Sequence, residues 1–242
     1  MTEYFYKLNP FTFPLMILIS ISTCMCVFYT SDKFEYIYYE KIKKVICPVV
    51  LSALVGGKLI FASVMLLKGE TSLFVIFSGF VFYGGFIGSL IGLLIYCIKH
   101  KEDYFLLSDI ILCLLPLGQS IGRIGCFFNG CCYGREYDGI LSVKYIINGV
   151  EKRIVPTWFI ESFFCFALFL FLFRCIPFRI KGLTTSLYMM FYSLFRFIIE
   201  FFRGDDIRGI YFGISVSQYI SILLFIFGII IFNIKIKCKK GI

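Results

Sequence analysis

Charge is scarce in this chain of 242 residues, where Asp, Glu, Lys and Arg supply 16%, against about 25% in soluble domains. Histidine is rarer still: His100 stands alone, and no C-x-x-C pair accompanies the eleven cysteines. That spacing offers no zinc site, so no metal and no cofactor are expected. Also missing are a Ser/Gly-rich linker, a long run of like charge and an internal repeat. Residues 1–242 are therefore read as one transmembrane domain. The opening MTEYFYKLNPFTF has an early Glu, no basic n-region and no small-residue cleavage site. A retained helix is expected there and not a signal peptide.

What fills the chain is apolar: 60% hydrophobic and 20% aromatic residues, with a mean hydropathy of +0.90. The fold class that follows is an all-α integral membrane protein of about seven transmembrane helices joined by outward-facing loops. The apolar segments fall near 12–30, 46–67, 73–98, 104–121, 155–178, 183–202 and 212–234. A net charge of +9 sits in short clusters between these runs and forms no continuous stripe, which argues against nucleic acid. Lys and Arg number 13 on one side of the alternating loops and 9 on the other. Positive-inside logic then puts the N-terminus outside and the C-terminus in the cytoplasm, with the 122–154 and 203–211 loops facing outward.

The densest chemistry lies in GQSIGRIGCFFNGCCYGR, residues 118–135, which sets two arginines, an asparagine and five glycines after a long apolar run. An intramembrane arginine costs roughly 2.5–3.5 kcal/mol to insert, so Arg123 is a functional candidate by default. A guanidinium in a glycine-rich, amide-rich loop suits an anionic headgroup. Glu161, a carboxylate in an apolar run, must be paired, protonated or functional. Asp109 raises the same question and is a candidate to orient an arginine. Arg196 and Glu200 are i,i+4 neighbours and are expected to form a buried structural pair. Arg203 follows at the outer helix end, before Gly204-Asp205-Asp206, on the side opposite Arg123. Gly85, Gly88 and Gly92 recur at helical spacing and mark a close-packed face, next to Tyr83 and Gly84. Seven cysteines lie in apolar runs as small hydrophobes. Cys126, Cys131 and Cys132 cluster in the outward loop, where a disulfide is open to them, although vicinal Cys131 and Cys132 bridge only with strain.

GRIGCFFNGCCYGR resembles the signature of prolipoprotein diacylglyceryl transferases. The likeness extends to YGGFIGSLIG (83–92), LSDIILCLLPLGQSIGR (107–123), IVPTWFIE (154–161), YSLFRFIIEFFRGDD (192–206) and GISVSQYISI (213–222). The resemblance implies a bacterial cytoplasmic-membrane enzyme. It would move the diacylglyceryl group of phosphatidylglycerol onto the lipobox cysteine thiol in the signal peptide of a preprolipoprotein and release glycerol phosphate. By that likeness Arg123 and Arg203 contact the lipid phosphate, Asn129 and Gly130 shape the headgroup pocket, and Glu161 orients within it. Tyr83, with Gly84 and Gly85 beside it, becomes a catalytic and lipid-contact candidate. Several positions depart from the family pattern. Tyr83 stands where the family has His, Cys126 where it has Asn, and Cys131 where an acidic residue is common. A phenol, with a reference pKa of about 10, is a poor base at neutral pH. A catalytically idle lipid-binding protein on the same scaffold is the alternative. A transporter is disfavoured, because the sequence shows no inverted-repeat interruptions.

Overall fold

The computed structural model describes residues 12–34, 36–67, 69, 72, 81–147, 150–175, 180–204, 210–211 and 213–239. Seven helices run through them: α1 (Thr12–Thr30), α2 (Tyr36–Leu67), α3 (Phe82–His100), α4 (Tyr104–Phe128), α5 (Thr157–Cys175), α6 (Leu183–Ile199) and α7 (Val216–Lys239). The all-α membrane class expected from composition is the class found. Residues 1–11 and 73–80, Asp205 and Asp206, and most of the 203–211 loop lie outside the described residues. Helices α2, α3, α4, α5 and α7 contain stretches long and apolar enough to cross a bilayer. Helix α1 has a shorter apolar stretch, and α6 is only 17 residues long. Helix α6 is less apolar for a physical reason: it buries Thr184, Thr185, Ser186, Ser193 and Arg196 against protein. Large apolar side chains point outward instead, among them Phe163, Ile98, Leu18 and Leu59. That inversion of the soluble pattern is what a lipid surround favours.

Two compact units divide the chain. One runs from Ser31 to Ser108 and packs α2 against α3. Their backbones approach so closely that a Cβ on Gly84 would meet the Gly56 carbonyl oxygen at 2.6 Å, and Gly88 and Gly92 press on Ser52 in the same way. The close-packed face holds Gly88 and Gly92, as expected, and adds Gly84 at an even four-residue spacing.

The other unit holds α1 and the chain from Asp109 onward. In it, Ser162 donates to the Ser120 carbonyl at 2.9 Å and pins α5 to α4. Helix α7 starts with a reciprocal capping box: Ser215 N–H donates to Gln218 at 2.9 Å, and Gln218 N–H donates to the Ser215 hydroxyl at 3.2 Å. Asp109 corrects an expectation. Among the described residues it orients no arginine but receives the Gly182 N–H at 2.6 Å, and the Thr185 N–H and hydroxyl at 2.7 and 2.6 Å. A carboxylate so placed satisfies the orphan donors at the start of α6 and meets the positive end of its dipole. Asp109→Ala strands three buried donors, so stability should fall by about 3 kcal/mol, read as an earlier unfolding midpoint in detergent. An unchanged midpoint would contradict this role.

Two short antiparallel ribbons complete the unit. Strand β1 (Val143–Ile147) pairs with β2 (Val150–Ile154) in the register Val143↔Ile154 to Ile147↔Val150. Strand β3 (Ile210–Tyr211) pairs with β4 (Ile214–Ser215). What reads as one outward loop at 122–154 is therefore about two helical turns of α4, a connection over residues 129–142 and a hairpin.

Candidate active site

The charges of three separate segments meet at Glu161, a residue of α5 with only 2% of its side chain exposed. Arg123 of α4 makes the tightest contact, Nη2 to Oε2 at 2.7 Å. Arg196 of α6 lies 3.6 Å from the other carboxylate oxygen and pairs through its second nitrogen with Glu200 at 3.0 Å. Arg203, just past the 3₁₀ turn Glu200–Phe202 that ends α6, reaches the same Glu161 oxygen at 4.0 Å. All three guanidinium groups are largely buried, with side-chain exposures of 15%, 8% and 6%. Glu161 is therefore the hub that brings Arg123 and Arg203 together. Three guanidinium groups against two carboxylates leave one positive charge in excess among these five side chains. Little water surrounds that charge, so it is a strong site for a monoanion. Among the described residues, Arg196 Nη1 and Glu161 Oε1 make no hydrogen bond to a protein group.

The backbone that sets Arg203 and Arg123 in place follows from local sequence. Arg135 N–H donates to the Phe202 carbonyl at 2.9 Å, and Gly204 N–H to the Tyr133 carbonyl at 3.1 Å. These bonds lace Gly134 and Arg203 into an antiparallel bridge. Val155 N–H donates to the Arg135 carbonyl from the other side at 3.1 Å. A side chain at Gly134 would collide with Val155, so only glycine lets the connection pass between the two neighbours.

Helix α4 continues past Arg123 to Phe128, which makes GRIGCFF helical and not loop. Its end is a Schellman motif: Gly130 N–H donates to the Phe127 carbonyl at 3.3 Å and Cys131 N–H to the Cys126 carbonyl at 3.2 Å. Gly130 takes φ +68° there, a conformation cheap only for glycine. Asn129, the residue before it, is exposed and has its amide 3.9 Å from the Cys131 sulfur. Trp158 N–H then donates to the Cys131 carbonyl at 2.5 Å and the Thr157 hydroxyl to the Cys132 carbonyl at 2.9 Å.

That turn folds Cys131 and Cys132 back over Cys126, and the three sulfur atoms lie within 4.8 Å of one another. Cys132 receives hydrogen bonds from the other two thiols and faces Arg203 and Arg123, which together hold it below the ordinary thiol range. Cys131 gains from its bond to Cys126, but its bond to Cys132 and its burial outweigh that and push it up to about 11. Of these two thiols, Cys132 is therefore the more readily deprotonated. The C-x₄-C-C spacing set these cysteines in one segment, and the helix-ending turn is what brings residues five apart into contact.

Tyr83, Gly84 and Gly85 belong to α3, in the unit from Ser31 to Ser108. Tyr83 is buried with its ring edge-on to Phe82 at 5.8 Å between centroids. Gly84 is a helix contact and Gly85 N–H donates to the Val81 carbonyl at 3.1 Å. Arg196 is the participant that sequence reasoning confined to a structural pair. Its tie to Glu161 comes from the packing of α5 on α6, which no local spacing announces.

The chain matches the model of the prolipoprotein diacylglyceryl transferase family over residues 6–234. It belongs to that family. A phosphatidylglycerol–prolipoprotein diacylglyceryl transferase 2 of Clostridium perfringens is 36% identical over 200 residues, covering 79% of this chain and 78% of the relative. A phosphatidylglycerol–prolipoprotein diacylglyceryl transferase of Clostridium tetani is 34% identical over 192 residues, 76% of this chain and 77% of its own length. One from Rickettsia bellii is 36% identical over 169 residues, 67% of this chain and 64% of that protein. Membership in the diacylglyceryl transferase family makes the chain an enzyme of lipoprotein maturation, carried by a multi-pass membrane fold.

Proposed function

We propose that the chain transfers the diacylglyceryl group of phosphatidylglycerol to the lipobox cysteine thiol in a preprolipoprotein signal peptide. The observation that carries this reading is the excess of one positive charge around Glu161, which matches the single negative charge of a phosphodiester. Arg123 and Arg203 hold the lipid phosphate, with Asn129 and Gly130 at the rim of the headgroup pocket. Glu161 keeps the two guanidinium groups from repelling each other before lipid arrives. The acceptor thiolate attacks the glyceryl carbon that bears the phosphate. A carbon–sulfur bond forms, the carbon–oxygen bond breaks, and glycerol phosphate leaves with the bonding pair. Charge on the departing phosphate grows in that step, so donors already aimed at it bind the transition state more tightly than the lipid. The nucleophile belongs to the substrate, and the enzyme need only position, desolvate and stabilise.

Residues 1–242 act as one transmembrane domain in the bacterial cytoplasmic membrane, with the N-terminus outside, the C-terminus in the cytoplasm and the Arg123 end of α4 toward the outer leaflet. By likeness to the family, Tyr83, with Gly84 and Gly85 beside it, is the lipid-contact candidate of the Ser31–Ser108 unit. A Tyr83→Phe substitution should lower transfer by about tenfold if its hydroxyl donates to the reacting lipid; an unchanged rate would make Tyr83 a packing residue. The whole reading is tested by expressing the chain in a host depleted of its own transferase. A reporter lipoprotein should regain its diacylglyceryl group. A membrane-inserted chain that restores no modification would contradict the proposal.

A further inference from the structure

We propose that Cys126, Cys131 and Cys132 hold a Zn²⁺ ion whose fourth position takes the acceptor cysteine of the substrate. This rests on the transferase reading above, because it names how the thiol of that reaction is activated.

The site is already gathered. Three sulfur atoms within 4.8 Å need only small rotations to reach the separation of about 3.8 Å that tetrahedral coordination at about 2.3 Å per bond requires. The scaffold under them is fixed by the Schellman end of α4 and by the Trp158 and Thr157 bonds to the Cys131 and Cys132 carbonyls. Cys132 is held at φ +61°, where a non-glycine residue costs roughly 1–2 kcal/mol. Three soft thiolates select a soft or borderline cation such as Zn²⁺, and three protein ligands with one open position is the arrangement of catalytic zinc.

The reaction also needs what such an ion supplies. A cysteine thiol with a pKa of about 8.5 is mostly protonated at neutral pH. The chain's single histidine, His100, stacks on Tyr96 at the end of α3, and Glu161 and Glu200 are engaged by arginines. Tyr83 is a phenol. Coordination deprotonates a thiol outright: the substrate cysteine binds zinc as thiolate and its proton passes to water. The zinc-bound sulfur then attacks the glyceryl carbon as the phosphate oxygen departs, and the thioether formed is a weak ligand that another thiol or water displaces. No redox change occurs.

The test uses the purified full chain in detergent, reduced and stripped of metal, titrated with Co²⁺. The proposal expects a single equivalent to bind with thiolate-to-cobalt charge-transfer absorption, and Zn²⁺ to abolish that absorption. Each of Cys126→Ser, Cys131→Ser and Cys132→Ser should weaken binding by at least about tenfold. A lipobox peptide should alter the cobalt spectrum, whereas its Cys-to-Ser counterpart should not. In transfer assays a chelator should slow the wild-type chain by on the order of a hundredfold, the contribution of a lost proton acceptor, with recovery on adding Zn²⁺. A folded, reduced chain with no cobalt–thiolate absorption overturns the proposal, and so does a spectrum indifferent to the peptide thiol. Isolation with Cys126 joined to Cys131 or Cys132 in a disulfide that excludes metal does the same. Cobalt bound and responsive to the peptide, with no transfer from phosphatidylglycerol, would uphold the metal site and refute the lipid donor instead.

Discussion

Arg123→Ala should lower diacylglyceryl transfer by on the order of a hundred- to a thousandfold, about 3–4 kcal/mol of transition-state stabilisation. Arg123 makes the shortest ion pair in the cluster, 2.7 Å to Glu161, and is the only one of the three arginines contributed by α4. Its removal leaves Glu161 with Arg196 and Arg203 as partners. The fold should therefore survive, while the charge excess that attracts a phosphodiester disappears. Arg123→Lys restores the charge but not the paired nitrogens, and should recover only part of the loss because a planar fork meets carboxylate and phosphate together. Both variants are checked by initial rates of transfer to a reporter lipoprotein at matched expression. A fully active Arg123→Ala chain would remove Arg123 from the mechanism.

Glu161→Ala should fail differently. Losing the one carboxylate that three buried guanidinium groups share leaves Arg123, Arg196 and Arg203 facing one another with Glu200 alone to offset them. Breaking a buried charge network from one side costs about 3–5 kcal/mol, a large part of the stability of a single domain. The expected result is a sharp fall in the unfolding midpoint in detergent together with loss of transfer. Glu161→Gln keeps the volume and some hydrogen bonds, so it should retain more of the fold while the arginines spread apart and transfer still drops. If Glu161→Ala were as stable as the parent, the carboxylate would not be the hub that organises these arginines.

Much of this was legible along the chain because membrane burial makes charge conspicuous. Arg123, Glu161 and Arg203 each announced themselves as costly groups in apolar surroundings, and Arg196–Glu200 followed from i,i+4 spacing. Their convergence on a single carboxylate was not legible, since it depends on how α4, α5 and α6 pack. Asp109 looked like a partner for arginine because its charge was visible, whereas the α6 terminus it caps, more than seventy residues away, was not. The β1–β2 hairpin carried a readable sign, Asn148-Gly149 between alternating apolar residues. The helix count and the wealth of hydrophobic residues outweighed it. The cysteine cluster was visible along the chain, but the close approach of Cys126 to Cys131 and Cys132 was not, because a helix end and its turn do the gathering.

The account stands or falls on whether the arginine cluster binds an anionic lipid headgroup, and native mass spectrometry of the purified chain with mixed lipids measures that directly. Wild-type protein should retain phosphatidylglycerol over diacylglycerol or phosphatidylcholine, and Arg123→Ala combined with Arg203→Ala should abolish the preference without releasing the protein from its folded state. Equal retention of all three lipids by the wild-type chain, or an unaltered preference in the double variant, would contradict it.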